Sequence, residues 1–214
     1  MPGDFGRDEC LSCFGQRYQG QSLWESFYED DPLCGVCRKE LLGKLRKQQI
    51  FGLKVHYLYN YNKAFQELLL RYKEQLDEAL APVFLYPYRK VLRRRFRDYV
   101  LVPVPSIRLK NELRGFVPAE QLFSFLQLPI TKALVKISNL EQKHLSRSAR
   151  MQVQFARRDG FDFTGEKVLL VDDVMTTGAS LRACQKLLMD AKKVEVLLLG
   201  LRYHISKPQD KGLE

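Results

Sequence analysis

The stretch VLLVDDVMTTGASL, Val168 to Leu181, joins an apolar run to two adjacent acids and then to a small, hydroxyl-rich loop. Val168 to Val171 read as a buried parallel strand, so Asp172 and Asp173 are expected to emerge at its carboxyl end. An ionised carboxylate only accepts hydrogen bonds, and two side by side suit the vicinal hydroxyls of a sugar such as ribose. Met175, Thr176, Thr177, Gly178, Ala179 and Ser180 then turn into a helix, where free N–H groups, the helix dipole and three hydroxyls converge on a place for one phosphate. Gly178 allows the backbone a close approach. Taken singly, the acids can be a solvated turn and TTGAS an ordinary helix cap. The joined order is what points to a sugar carrying a phosphate at one end and a diol at the other.

Outward from this motif, strands alternate with helical patterns. KVHYLYNY, residues 54–61, alternates as a half-buried strand, and AFQELLLRYKEQLDEALAPVF carries helical periodicity. VLRRRFRDY is a basic amphipathic patch leading into YVLVPVP, a short apolar run closed by prolines. SIRLKNELRGF reads as a loop, PAEQLFSFLQL as a helix with Pro118 in its first turn, and ALVKIS as a strand. A polar, basic interval from about Asn139 to Asp159 follows. After the motif come a helix, SLRACQKLLMDA, and a strand, KVEVLLLGLRYH. Such alternation predicts an α/β fold, a parallel sheet covered on both faces, whose binding edge lies at the carboxyl ends of the strands.

The 214 residues, 45% hydrophobic and 28% charged, suffice for one sizeable core with a small appendage. No run of about 20 apolar residues could cross a bilayer. The N-terminus MPGDFGRDEC lacks the basic start and apolar centre of a secretory signal, so a cytoplasmic location is expected. Lys and Arg outnumber Asp and Glu 35 to 25, a formal net charge of +10. That balance favours polyanionic partners such as nucleic acid or phosphorylated small molecules, without choosing among them.

Four of the five cysteines form two knuckles, Cys10-Leu-Ser-Cys13 and Cys34-Gly-Val-Cys37, with 20 residues between them. Each knuckle offers two sulfurs from one tight turn, as a four-thiolate structural zinc ribbon requires. Disulfides are the alternative, disfavoured in a reducing compartment. The domain division expected from this is 1–50 for a zinc-binding module and 51–214 for the α/β domain. Cys184 reads as a core residue. His56, His144 and His204 lack ligand spacing, and Trp24 suits the small core of the module or a partner contact.

The motif resembles the 5-phosphoribosyl 1-pyrophosphate (PRPP) signature of type I phosphoribosyltransferases. The CxxC…CxxC module, the VPVP strand, Arg108-x5-Arg114-Gly115-Phe116 and the Gln142 to Arg150 run extend the likeness over nearly the whole chain to the ComF family of late-competence proteins, in detail to its ComFC-like members. The resemblance implies a type I phosphoribosyltransferase-like fold in which Asp172 and Asp173 hold the ribose hydroxyls and Met175 to Ser180 the 5-phosphate. It implies that Arg108 and Arg114 face a pyrophosphate arriving with Mg²⁺, whose departure Lys110 could also help to neutralise, and that residues 139–158 stand where such enzymes carry a mobile loop. Two departures matter. Val117-Pro118 replaces the Asn-Gln that commonly follows Arg-Gly-Phe, and Thr176 stands where purine-salvage relatives have an Asp that contacts the base, which argues against purine salvage.

No motif identifies an acceptor or a base, so no catalytic residue is assigned. One function class is a DNA-uptake protein binding PRPP and working with a ComFA-type helicase, its contact with single-stranded DNA made through VLRRRFRDY and KHLSRSARMQVQFARR. The other is an active phosphoribosyltransferase with an unidentified acceptor.

Overall fold

The computed structural model describes residues 8–18, 31–41, 43–106, 108–137 and 155–202, with the side chains of 108–110 left aside. In chain order the elements are α1 (Gly35–Glu40), β1 (Arg46–Ile50), β2 (Leu53–Asn60), α2 (Lys63–Glu74), α3 (Ala81–Leu85), α4 (Arg89–Arg95), β3 (Tyr99–Pro103), α5 (Arg108–Arg114), α6 (Pro118–Ser124), β4 (Leu134–Lys136), β5 (Phe155–Arg157), β6 (Lys167–Met175), α7 (Ala179–Lys186) and β7 (Lys193–Leu201). Short 3₁₀ turns, Glu78–Leu80 and Tyr86–Tyr88, join α2 to α3 and α3 to α4.

The main sheet runs β1-β2-β7-β6-β3, and β4 pairs with β5 in a small second sheet. β2, β7, β6 and β3 are mutually parallel. The edge strand β1 is antiparallel to β2. The period-2 alternation of β6 and β7 divides the apolar residues between two faces. Leu169, Val171, Leu197 and Leu199 pack with Phe65, Tyr72, Phe84 and Phe123 from α2, α3 and α6. Val168, Leu170, Val196 and Leu198 pack with Leu181 and Cys184 of α7. Both faces are covered, so the strands read as near-continuous apolar runs.

The differences from the sequence reading have local causes. SIRLKNELRGF was expected to be a loop, yet its middle seven residues form α5, ended by Gly115 at φ 78°. The helical stretch after Lys63 breaks at Leu76, whose φ of 59° is left-handed, and resumes at α3. β1, RKQQI, is a polar strand that no apolar alternation announces. β5 falls inside the interval read as loop, and 138–154 lie outside the described residues, as do Trp24, His144 and His204. β6 continues to Met175, so the two acids sit within the strand rather than beyond it. Pro118 stands in the first turn of α6 as expected.

The N-terminal cysteines and the sheet share one hydrophobic cluster, with Cys10, Leu33, Cys34 and Leu41 packed into it. Arg71 of α2 donates to the carbonyls of Ser12 (2.8 Å) and Leu11 (3.3 Å) in the first knuckle. Arg38 of α1 grips Asp31 at 2.6 Å and reaches the Val83 carbonyl of α3. Among the described residues no helix is long and apolar enough to cross a membrane.

Candidate functional site

Topology alone locates a crevice. β3 and β6 are neighbours, but the helix α6 that follows β3 packs on one face of the sheet and α7, following β6, packs on the other. In an open α/β sheet such a switch leaves a cleft outside the carboxyl ends of the two strands. β3 pairs with β6 only as far as Val171, extended by the Val104 N–H to the Val171 carbonyl. Asp172 to Met175 therefore project past β3, beside residues 104–106 and α5.

Within the crevice the two acids are held differently. Asp173 Oδ2 pairs with Lys73 Nζ of α2 at 2.5 Å, and Asp172 Oδ1 accepts from the Asp173 N–H at 2.9 Å. Among the described residues, Asp172 Oδ2 and Asp173 Oδ1 keep no internal partner, so each residue leaves one carboxyl oxygen open. Burial raises the Asp172 carboxyl to about 8, the Asp173 charge adding to the effect while Lys73 and Lys136 oppose it. The Cys184 thiol, fully buried behind Asp172, is pushed up to about 12 by burial and by that charge, so it stays an unreactive core group.

Beyond the acids the chain turns into α7 through Gly178, at φ 75°, which has no side chain to cap the helix, while Thr177 Oγ1 accepts from the Ala179 N–H at 3.4 Å. Thr176, Thr177 and Ala179 are exposed and Ser180 is half-buried, so the loop offers hydroxyls and N–H groups to an anion. The Met175 side chain instead lies in the core, and its carbonyl accepts from the Arg202 N–H. Phe51, at the tip of the β1–β2 hairpin, leans on this loop. A Cβ on Gly178 would lie 2.4 Å from its Cε2, and Arg182 stacks over the same ring at 5.0 Å.

The expected basic residues divide. Arg108 opens α5. Arg114, at the other end, donates from Nε to the Lys73 carbonyl (2.9 Å) and from Nη2 to Glu74 Oε1 (2.5 Å), so its guanidinium holds α2 in place. Lys73 is the site residue that sequence reasoning missed. It stands 100 positions before Asp173, and nothing in the periodicity of α2 separates it from a solvated lysine.

Cys10, Cys13, Cys34 and Cys37 bring their sulfurs within 4.8 Å of one another, a cluster able to hold a metal ion. A tetrahedron with Zn–S bonds of about 2.3 Å has sulfur–sulfur edges of about 3.8 Å. The Cys13 and Cys34 sulfurs are 3.8 Å apart, and backbone N–H groups of Ser12 and Cys37 point at the Cys10 and Cys34 sulfurs as they do in metal knuckles. All five cysteines are free thiols. The donor set fits Zn²⁺, with all four positions supplied by protein.

α4 carries Arg93, Arg94 and Arg95, all exposed, followed by exposed Arg97. They precede the amino end of β3, whereas the crevice lies at its carboxyl end. The basic face and the acid pair therefore lie toward opposite ends of the parallel strands.

Residues 112–211 match the family model of the phosphoribosyl transferase domain, a segment containing β6, its acids and the loop into α7. The chain is 28% identical to the competence protein ComFC of Bacillus subtilis over 174 residues, covering 76% of this chain and 72% of that protein. It is also 28% identical to competence protein F of Haemophilus influenzae, over 92% of this chain and 98% of that one. Among solved structures, adenine phosphoribosyltransferase from Leishmania donovani overlaps 76% of this chain and 92% of its own at 14% identity and a TM-score of 0.39. At that score the overlap adds nothing to the strand order itself. The chain is a distant relative of ComF-type competence proteins, and its residues 112–211 are similar to the phosphoribosyl transferase domain.

Proposed function

We propose that the chain binds PRPP with its Mg²⁺ in the crevice between β3 and β6, and serves DNA uptake in natural transformation beside a ComFA-type helicase. The observation that carries the reading is the pair of open carboxyl oxygens, Asp172 Oδ2 and Asp173 Oδ1, set just before the loop into α7. A ribose with a 5-phosphate matches that order, its diol on the acids and its phosphate on Thr176 to Ser180. Pyrophosphate and its Mg²⁺ would lie toward residues 104–106 and α5, where Arg108 and Arg114 stand. Zn²⁺ on the four cysteines is structural in this reading.

The competence role rests on the distant homology. Single-stranded DNA would run along the exposed arginines of α4, bound mainly through phosphates. Because that face lies toward the other end of the parallel strands, removing its charges should flatten the salt dependence of DNA binding and leave PRPP affinity alone.

Phosphoribosyl transfer is the second reading, and Lys136 of β4, whose positive charge favours the ionised form of Asp172, is a further cation acting on the acid pair. Calorimetry with Mg·PRPP tests the first reading: binding by the wild type, weakened by about 2–4 kcal/mol in the Asp172→Ala, Asp173→Ala double variant, supports it. Equal affinity in the two proteins refutes the site. Pyrophosphate release on adding candidate acceptors would establish the second.

A further inference from the structure

Resting on the PRPP reading, we propose that Lys73 is a positioning residue of the sugar site, contributed by α2 from outside the matched segment 112–211. Its ammonium lies 2.5 Å from Asp173 Oδ2, with the two side chains 24% and 13% exposed. A pair so shielded from water holds its geometry better than a surface ion pair. The contact fixes the Asp173 carboxylate by one oxygen and leaves the other to the ligand.

Charge supplies the second reason. The negative charge on Asp173, joined above about pH 8 by that on Asp172, would repel a ligand that carries a phosphate and a pyrophosphate. Lys73 offsets one negative charge beside the pair while one carboxyl oxygen of each acid stays open, and its charge also reaches Asp172.

A lysine is a flexible group, but the turn that carries this one is held on every side. Arg71 bonds the first cysteine knuckle and Asp77, and Tyr72 donates to Gln121 (2.7 Å) and the Pro118 carbonyl (3.2 Å) of α6. The Lys73 carbonyl and Glu74 carboxylate both receive Arg114 of α5. Four consecutive residues thus anchor the turn to the first knuckle, α6 and α5, and the ammonium is presented from a fixed base. A lysine that merely fastened α2 to the sheet would affect stability alone. A positioning lysine also sets how the acids titrate and whether the sugar is felt.

The test is calorimetry on the full, metal-loaded chain with three probes: Mg·PRPP, ribose 5-phosphate and inorganic phosphate. Lys73→Met, which keeps most of the apolar stem, should weaken PRPP and ribose 5-phosphate about 10- to 100-fold and inorganic phosphate less than about 2-fold. Lys73→Arg should restore most of the loss. In Lys73→Met the pH at which ribose 5-phosphate affinity is half-maximal should move upward, because the acids lose their cation. Should Lys73→Met fail to fold, Lys73→Gln carries the same comparison. A folded neutral variant with wild-type ribose 5-phosphate affinity and pH profile overturns the assignment, as does equal weakening of all three probes. If the wild type binds none of them, the PRPP reading fails and takes this one with it. If it binds and the neutral variants match it, only the role of Lys73 falls.

Discussion

Gly178 and Phe51 meet at the mouth of the crevice: the glycine's left-handed backbone sits where any Cβ would lie 2.4 Å from the Phe51 ring. The hairpin tip and the loop into α7 are therefore fitted to one another, although 127 positions separate them in the chain (178 minus 51).

Gly178→Ala should destabilise the chain by about 1–2 kcal/mol from the left-handed backbone alone, with a further loss from the clash. Phe51→Ala should recover the clash and leave the backbone cost. A double-mutant cycle in denaturant unfolding measures the difference. Strict additivity of the two substitutions would show that the ring gives way at no cost.

Asp172→Asn should stabilise the protein at pH 8 more than at pH 5. The folded carboxyl holds its proton up to about 8, the unfolded one only to about 3.8, so its contribution is complete in acid and is lost as pH rises between these values. An amide keeps the neutral form throughout. Thermal melts at the two pH values check this, and an equal shift at both would contradict it. The same variant should bind PRPP more weakly, a trade of function for stability.

The buried pair His56 and Glu195 should give the opposite slope. Nε2 and Oε2 are 2.7 Å apart, and Nδ1 of the fully buried His56 has no partner. Burial lowers the His56 pKa from 6.5 despite the carboxylate. Burial would raise Glu195, but hydrogen bonds from Lys193 and His56 bring it down to about 2. In both cases the unfolded chain binds the proton more readily, so stability falls as pH drops below about 6.5 for His56 and from about 4.5 toward 2 for Glu195. Urea midpoints for His56→Gln should lose the part of the slope just below pH 6.5. A slope retained in full there would assign it to other groups.

Cys34→Ser should remove the metal and lower the melting temperature of the entire chain, not of the first 50 residues alone, because Cys10 and Cys34 belong to the cluster that packs against the sheet. Elemental analysis and a single melting transition, monitored by far-UV circular dichroism, test both halves. About one Zn²⁺ per wild-type chain is expected.

The parts of the molecule that were legible in sequence are those where one physical signal decides. β6 and β7 are apolar enough that only strands buried on both faces account for them, and the acids followed by a glycine loop announce the end of β6 and the turn into α7. Two knuckles of correct spacing foretold the cysteine cluster. β1 escaped because Arg46 to Gln49 carry no hydrophobic pattern, its place being set by pairing with β2. α5 escaped because its polar residues look like a loop until Gly115 and the Arg114 contacts with α2 end and anchor it. Lys73 and the Arg71 contacts depend on where α2 lands, which no local pattern encodes.

The polar strand β1 has a consequence for solubility. A parallel sheet ends in a row of open N–H and C=O groups that invites another chain to add itself, and charged or polar edge strands blunt that tendency. Arg46, Lys47, Gln48 and Gln49 cover β2 in just this way. A chain cut between residues 50 and 51 would expose the apolar edge of β2 and shed Cys10, Leu33, Cys34 and Leu41 from the shared cluster. Such a fragment should aggregate by strand addition, whereas one extended back through the knuckles should stay dispersed.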